Sequence, residues 1–158
     1  MIDKLLILNK LKEIYSEDLQ KAKQIAAEAK ELINQPDMKP EGKYDTRRTE
    51  AQYLAGAQAT RVKELEGDLE RLELLQVARH EQKVTIGSLV KCATEDKEVL
   101  IFISPSSGGF HLEINNQKLQ VTSYSSPLGD SLIGMEVDDF FELETPKGEI
   151  EYEILEIY

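Results

Sequence analysis

The chain has 158 residues, 41% hydrophobic and 31% charged, the composition of a folded, soluble protein and not of a disordered or membrane-spanning one. Its 30 acidic residues outnumber 19 basic ones, and a formal charge of −11 argues against unaided binding to nucleic acid, because phosphate affinity comes mainly from lysine and arginine. No run approaches the ~20 apolar residues of a membrane span, the N-terminus lacks the basic start and cleavage site of a signal peptide, and Cys92 has no second cysteine to pair with, so a cytoplasmic protein without disulfides is expected.

From about Asp3 to Ile33 there is neither proline nor glycine, and Tyr15, Leu19, Ala22, Ala26, Ala29 and Ile33 step by fours and threes, which predicts a long helix with one apolar stripe. Pro36 and Pro40 end it. A return helix is predicted from Asp45 or Thr46, either of which can cap it, to about Ala78, with Ala51, Ala55, Val62, Leu65, Leu69 and Leu72 as its stripe. Two such arms, each roughly 45 Å long, fold back as an antiparallel coiled coil over residues 1–79, with its tip near 34–45. The alanines toward the tip would let the two backbones approach closely.

That tip, NQPDMKPEGKYD, carries Asp37, Glu41 and Asp45. Two or three carboxylates brought together can hold a magnesium ion through few protein ligands and leave the remaining positions to a partner. Equally, they can do no more than solvate a helical turn.

After Ala78 the pattern changes to short β-type runs: Lys83 to Ala93, Val99 to Ser104, His111 to Ile114, Gln117 to Tyr124, Asp139 to Thr145 and Ile150 to Glu156. Turn chemistry separates them at Pro105 to Gly109, Asn115-Asn116 and Pro146 to Gly148, and SPLGDSLIGME, Ser126 to Glu136, reads as a short helix or turn. The expectation is a compact antiparallel sheet domain over 80–158, and an α+β chain as a whole. The adjacent Phe140 and Phe141 must face opposite sides of a strand, one into the core and the other free to make a contact. His80 reads as a linker residue and His111 as a surface or half-buried strand residue, neither with a partner ligand nearby in sequence.

The C-terminal stretch SPLGDSLIGMEVDDFFELETPKGEIEYEILEIY resembles the Gre family of bacterial transcription elongation factors, the transcript cleavage factors. Ser126, Pro127, Leu132, Ile133, Gly134, Asp138, Asp139, Thr145, Pro146 and Gly148 are the matching positions, and Ala55 to Leu72 resembles the family's descending helix more weakly. The resemblance implies an N-terminal coiled coil followed by a C-terminal domain of the FKBP-like α+β type. It further implies that the protein is an accessory factor, not itself an enzyme. Such a factor binds bacterial RNA polymerase, passes the coiled coil through the secondary channel and uses tip acids to help hold a catalytic magnesium while the polymerase cuts backtracked RNA. Glu41 and Asp45, with Asp37, are then the assisting acids, and Ser126, Pro127, Asp130, Leu132, Ile133 and Gly134 form the expected docking segment. Nucleic acid is met only through the elongation complex, no membrane is involved, and a monomer is expected.

The family's cleavage-competent tip reads Gly-Asp-Leu-Lys-Glu-Asn-Ala-Glu-Tyr, and PEGKYDTRR lies opposite it here. Glu41 matches the first functional acid, Tyr44 occupies the place of the second, and Asp45 follows one residue later, a rotation of ~100° if the segment is helical. Asp130 stands where the family usually has a basic residue, and Met135 where it often has lysine. The alternative is a secondary-channel regulator that occupies polymerase without stimulating cleavage. A peptidyl-prolyl isomerase, suggested by fold alone, would need an aromatic-lined pocket that a domain without tryptophan is poorly supplied to build.

Overall fold

The computed structural model describes residues 3–36, 42, 46–77 and 82–158. The elements run α1 (Lys4–Ile33), α2 (Arg47–Leu74), β1 (Leu89–Ala93), β2 (Glu98–Ser104), β3 (Phe110–Ile114), β4 (Gln117–Ser123), α3 (Pro127–Leu132), β5 (Phe140–Thr145) and β6 (Gly148–Ile157). Two compact units emerge: residues 12–70, and residues 1–11 together with 71–158. The bases of both long helices therefore belong with the sheet.

Within the helical unit, α1 starts from Asp3, whose Oδ1 accepts the amide of Leu5 at 2.9 Å, the usual role of an N-cap acid. It closes with the tighter bonds Asn34 N–H to Glu31 O and Gln35 N–H to Leu32 O, just ahead of Pro36. At the start of α2 the Thr46 carbonyl accepts Glu50 N–H, and the Thr46 hydroxyl donates to the Glu50 carboxylate at 3.0 Å. Every residue of both predicted stripes is buried or half-buried. Tyr15, Ala22 and Leu65 are the most enclosed apolar ones of this unit. Lys23 Nζ meets Glu66 Oε1 at 2.9 Å across the two arms, which fixes their antiparallel register.

The sheet is six-stranded in the order β3-β4-β2-β1-β6-β5. Four neighbouring pairs are antiparallel, but β2 and β4 run parallel, with Phe102 beside Val121 and Ser104 beside Ser123. The expected all-antiparallel sheet is corrected at that point: a loop and all of β3 intervene between β2 and β4, so β4 returns along β2 in the same direction. The predicted strand from Lys83 is also shorter. A turn in which Ser88 Oγ accepts Thr85 N–H, followed through Gly87 at φ +97°, delays β1 to Leu89, and Lys83 retains one isolated bridge to Glu136.

Alternation along the strands divides the core. Val90, Cys92, Ile101, Ile103, Phe141 and Ile154 face α3, whose Leu128 and Leu132 complete that cluster with Val84. Leu89, Phe102, Leu119 and Val121 point the other way and are equally buried, in the unit that also buries Ile7, Leu8, Leu11 and Leu72 of the helix bases. Lys4 Nζ donates to the Tyr158 carbonyl at 2.5 Å, tying the start of α1 to the last strand. Phe141 stacks on its cross-strand partner Tyr152 at 4.9 Å between ring centroids.

Two predictions test this packing. A Cβ on Gly129 would lie 2.0 Å from the Ser123 carbonyl oxygen, so Gly129→Ala should cost about 3 kcal/mol, read as a lowered urea midpoint. Burial pushes the Cys92 thiol up to about 12, so at pH 8 it is almost wholly protonated, and alkylation by iodoacetamide should proceed at the rate of unfolding, not at that of a free thiol.

Candidate functional site

At the end of the helical hairpin, the predicted acids Asp37, Glu41 and Asp45 lie outside the described residues, as do Lys43, Tyr44 and His80. Their described neighbours Gln35, Pro36, Gly42, Thr46 and Arg48 are all exposed. Apolar side chains are exposed toward this end too: Leu32, Leu54 and, at 80% exposure, Tyr53. Small residues on both arms leave shallow grooves there, one of about 280 Å³ walled by Ala29, Leu32, Ala51 and Leu54, with Arg47 and Glu50 at its mouth. Among the described residues, no three His, Cys, Asp or Glu side chains are grouped to hold a metal ion.

The second candidate is the segment from Ser126 through β5, where most of the predicted docking positions fall. Ser126 has an extended backbone and caps α3: its Oγ accepts Gly129 N–H at 3.1 Å and donates to the Ser123 carbonyl at 2.8 Å. With that proton committed, the 2.7 Å contact to Thr122 Oγ1 is a bond donated by the threonine. Pro127 follows at the first helical position, where its missing N–H is not needed. Leu132 is fully buried, so its side chain holds α3 to the sheet. Ile133 is 39% exposed and ends the helix through its amide to Gly129 O. Gly134 turns the chain at φ +84° while its N–H bonds Val84 O at 2.8 Å. Of the predicted docking set, Pro127, Asp130, Ile133 and Gly134 are exposed, Ser126 is half-buried, and Leu132 is enclosed.

The paired acids that follow have a local structural role. Asp139 Oδ2 accepts Glu136 N–H at 2.8 Å, and Asp138, at φ +70°, donates its N–H to Ile154 O. Likewise, the Thr145 hydroxyl donates to Gly148 O at 2.7 Å and accepts Lys147 N–H, closing the β5–β6 hairpin around Gly148 at φ +120°. Lys83 pairs with Glu136 at 2.9 Å; that hydrogen bond and charge raise the lysine pKa above its ordinary value. Val137 and Phe140 stand exposed between these anchors. That one of Phe140 and Phe141 faces outward was legible from their adjacency in a strand, and the structure shows it to be Phe140, whereas Val137 sits in a turn where period-two alternation gives no signal.

Comparison with known proteins adds to this geometry. Residues 79–158 match the family described as "Transcription elongation factor, GreA/GreB, C-term". The transcription elongation factor GreA of Legionella pneumophila (strain Corby) is 30% identical over 124 residues, covering 77% of this chain and 72% of that protein. GreA of Rickettsia canadensis is 28% identical over 139 residues, covering 85% and 79%. Among solved structures, the GreA factor homolog Gfh1 of Thermus thermophilus shares 24% identity over 96% of this chain and 92% of its own, with a TM-score of 0.38.

The hydrogen-bond geometry separates anchors from surface. Ser126→Ala should lower stability by about 1 kcal/mol through loss of the cap, whereas Ile133→Ser should change it by less than about 0.5 kcal/mol, both read from urea denaturation.

Proposed function

Because the chain belongs to the GreA/GreB family of transcription elongation factors, we propose that it binds bacterial RNA polymerase, inserts its helical hairpin into the secondary channel and assists cleavage of backtracked RNA. The observation that carries this reading is the extent of the likeness. It spans the whole sheet domain in the family match and, in the curated relatives, reaches back over much of the hairpin. The protein is then an accessory factor that lends side chains to the polymerase and performs no reaction alone.

Its own residues divide the task. The hairpin presents a narrow arm, because alanines rather than large side chains separate α1 from α2 toward the tip. Pro127, Asp130 and Ile133, held outward by the Ser126 cap and the buried Leu132, are the side chains that meet the polymerase surface. Glu41 and Asp45, with Asp37, offer hard oxygen donors that suit magnesium in their chemistry. Three carboxylates giving one oxygen each would leave half of the six-oxygen shell this ion takes open to water or to groups of the polymerase. When bound there, the ion stabilises charge on the phosphate under attack and lowers the pKa of a coordinated water. Glu41 and Asp45 add negative charge that retains it.

Purified polymerase halted in a backtracked complex tests the reading. Wild-type protein should accelerate RNA shortening, and the Glu41→Ala/Asp45→Ala variant should lose about 10²-fold of that stimulation while still competing with wild type for the polymerase. Binding without acceleration by the wild type would leave a channel-occupying regulator instead, and absence of binding would remove the polymerase reading altogether.

A further inference from the structure

The strand β3 ends the sheet on the side away from β5, so one edge of its backbone has no neighbouring strand among the described residues. The turn Asn115-Asn116, with both φ angles positive, makes Ile114 and Gln117 a pair that exchanges main-chain hydrogen bonds, and by alternation Leu112 and Leu119 form the next such pair. The N–H and C=O groups of His111 and Glu113, in between, therefore point away from β4 to the open edge. Both side chains are exposed on one face of the strand, and neither has an ion pair among the described residues. Leu112 is buried on the other face, between the half-buried Phe110 and Ile114.

The register decides which strand can add here. Antiparallel pairing joins residues whose main-chain groups both face the gap, and on this edge those are His111 and Glu113. When β3 meets β3 of a second copy about a two-fold axis through Leu112, the strands overlap completely, and His111 of each copy lies directly opposite Glu113 of the other. Phe110 then faces Ile114 and Leu112 faces Leu112, so the apolar face matches as well. A slip to the next bonding register in either direction sets His111 against His111 or Glu113 against Glu113. The register of full overlap is thus also the one of opposite charge. The same operation on β5 gives the reverse result. There Ile154 N–H bonds the Asp139 carbonyl, so by alternation the groups of Glu142 and Glu144 face the open side, and two-fold pairing would set these carboxylates against each other. Like charge guards that edge against self-pairing. β3 carries neither proline nor lysine, and its two charged side chains have opposite sign at the spacing self-pairing requires.

We propose that two copies of this chain associate edge to edge through β3, pairing antiparallel over residues 110–114 into one continuous sheet. Each His111–Glu113 pair exchanges both of its main-chain hydrogen bonds, with the imidazole beside the carboxylate on one face and the row Phe110, Leu112, Ile114 on the other. A five-residue strand pair is much smaller than a permanent interface, so the dissociation constant is on the order of 0.1–1 mM and the dilute chain is a monomer. This edge is distinct from the Pro127–Asp130–Ile133 segment, and the inference stands independently of the polymerase reading.

Sedimentation and amide hydrogen exchange of the whole protein test it at about pH 6, where an imidazole beside a carboxylate is mostly protonated. Salt at about 0.15 M screens the general repulsion between two chains of formal charge −11. From about 10 µM to about 2 mM the average mass should rise toward that of a dimer. Over the same range the amides of His111 and Glu113 should slow their exchange, whereas those of Leu112 and Ile114, already bonded to β4, should not change. His111→Glu, which opposes like charges twice, should weaken association at least about tenfold. His111→Glu/Glu113→His, of unchanged composition, should restore it to within about fivefold of wild type. Should either variant misfold, the wild-type mass and amide pattern decide the matter. A monomer throughout the range, association without slowing at His111 and Glu113, wild-type association of a folded His111→Glu protein, or none in a folded double variant would overturn the proposal.

Discussion

A single hydroxyl organises the junction between β4 and α3. Ser126 Oγ sits between the last turn of β4 and the first turn of α3, donating to the Ser123 carbonyl while accepting from Gly129 N–H and Thr122. Gly129 can approach Ser123 only because it has no side chain. With the helix brought so near the strand end, Leu128 and Leu132 reach the core cluster of Ile101, Ile103 and Phe141. The opposite side of the same six-residue helix, with Pro127 and Asp130, is then turned to solvent. Much of the sequence signature that marks the family is therefore a set of folding instructions: a cap, a close approach, a core leucine and a left-handed turn at Gly134.

The helical hairpin follows a different economy of contacts. Large buried side chains occur at Tyr15 and Leu65, and farther along the arms the facing residues are alanines, half-buried at 26, 29, 51 and 55. Alanine removes little apolar area from water, so each such layer contributes less than a leucine layer would. In return it permits close backbone approach and carries high helix propensity. Leu32, Tyr53 and Leu54 fall off the stripe positions and lie exposed beside this small-residue seam. The Lys23–Glu66 pair contributes register more than energy, because both side chains are about half exposed and solvent screens them.

Most of the fold was legible in residue order because its signals are local. Proline-free runs with a period near 3.6 gave both long helices to within a few residues, and Asn115-Asn116, at φ +53° and +61°, formed the two-residue hairpin turn their chemistry favours. The parallel pairing of β2 with β4 was not legible. Strand direction depends on how a chain returns after an intervening strand, and β3 looks the same from sequence whichever neighbour β4 takes. The early start assigned to β1 failed for a related reason: Lys83 to Ser88 has strand-like residues, but Gly87 and the Thr85–Ser88 bonds bend the segment before any ladder forms. Between Ser126 and Gly134, exposure was not readable from residue type, since Leu132 and Ile133 are adjacent apolar residues with opposite fates.

Sequence alone determined that this chain is an α-helical hairpin joined to a small α+β domain of the GreA/GreB family, because helix periodicity, turn residues and a C-terminal signature are properties of short stretches. It also determined that the hairpin turn is acidic and that Tyr44 precedes Asp45 there. Only the tertiary structure decided which of the signature residues serve the core, that Glu142 and Glu144 stand opposite Glu151 and Glu149, and that β5 ends the sheet with an unpaired edge. Those facts depend on which distant strands become neighbours. That choice is made by the burial of two sheet faces at once, a sum over residues far apart in the chain that no local pattern contains.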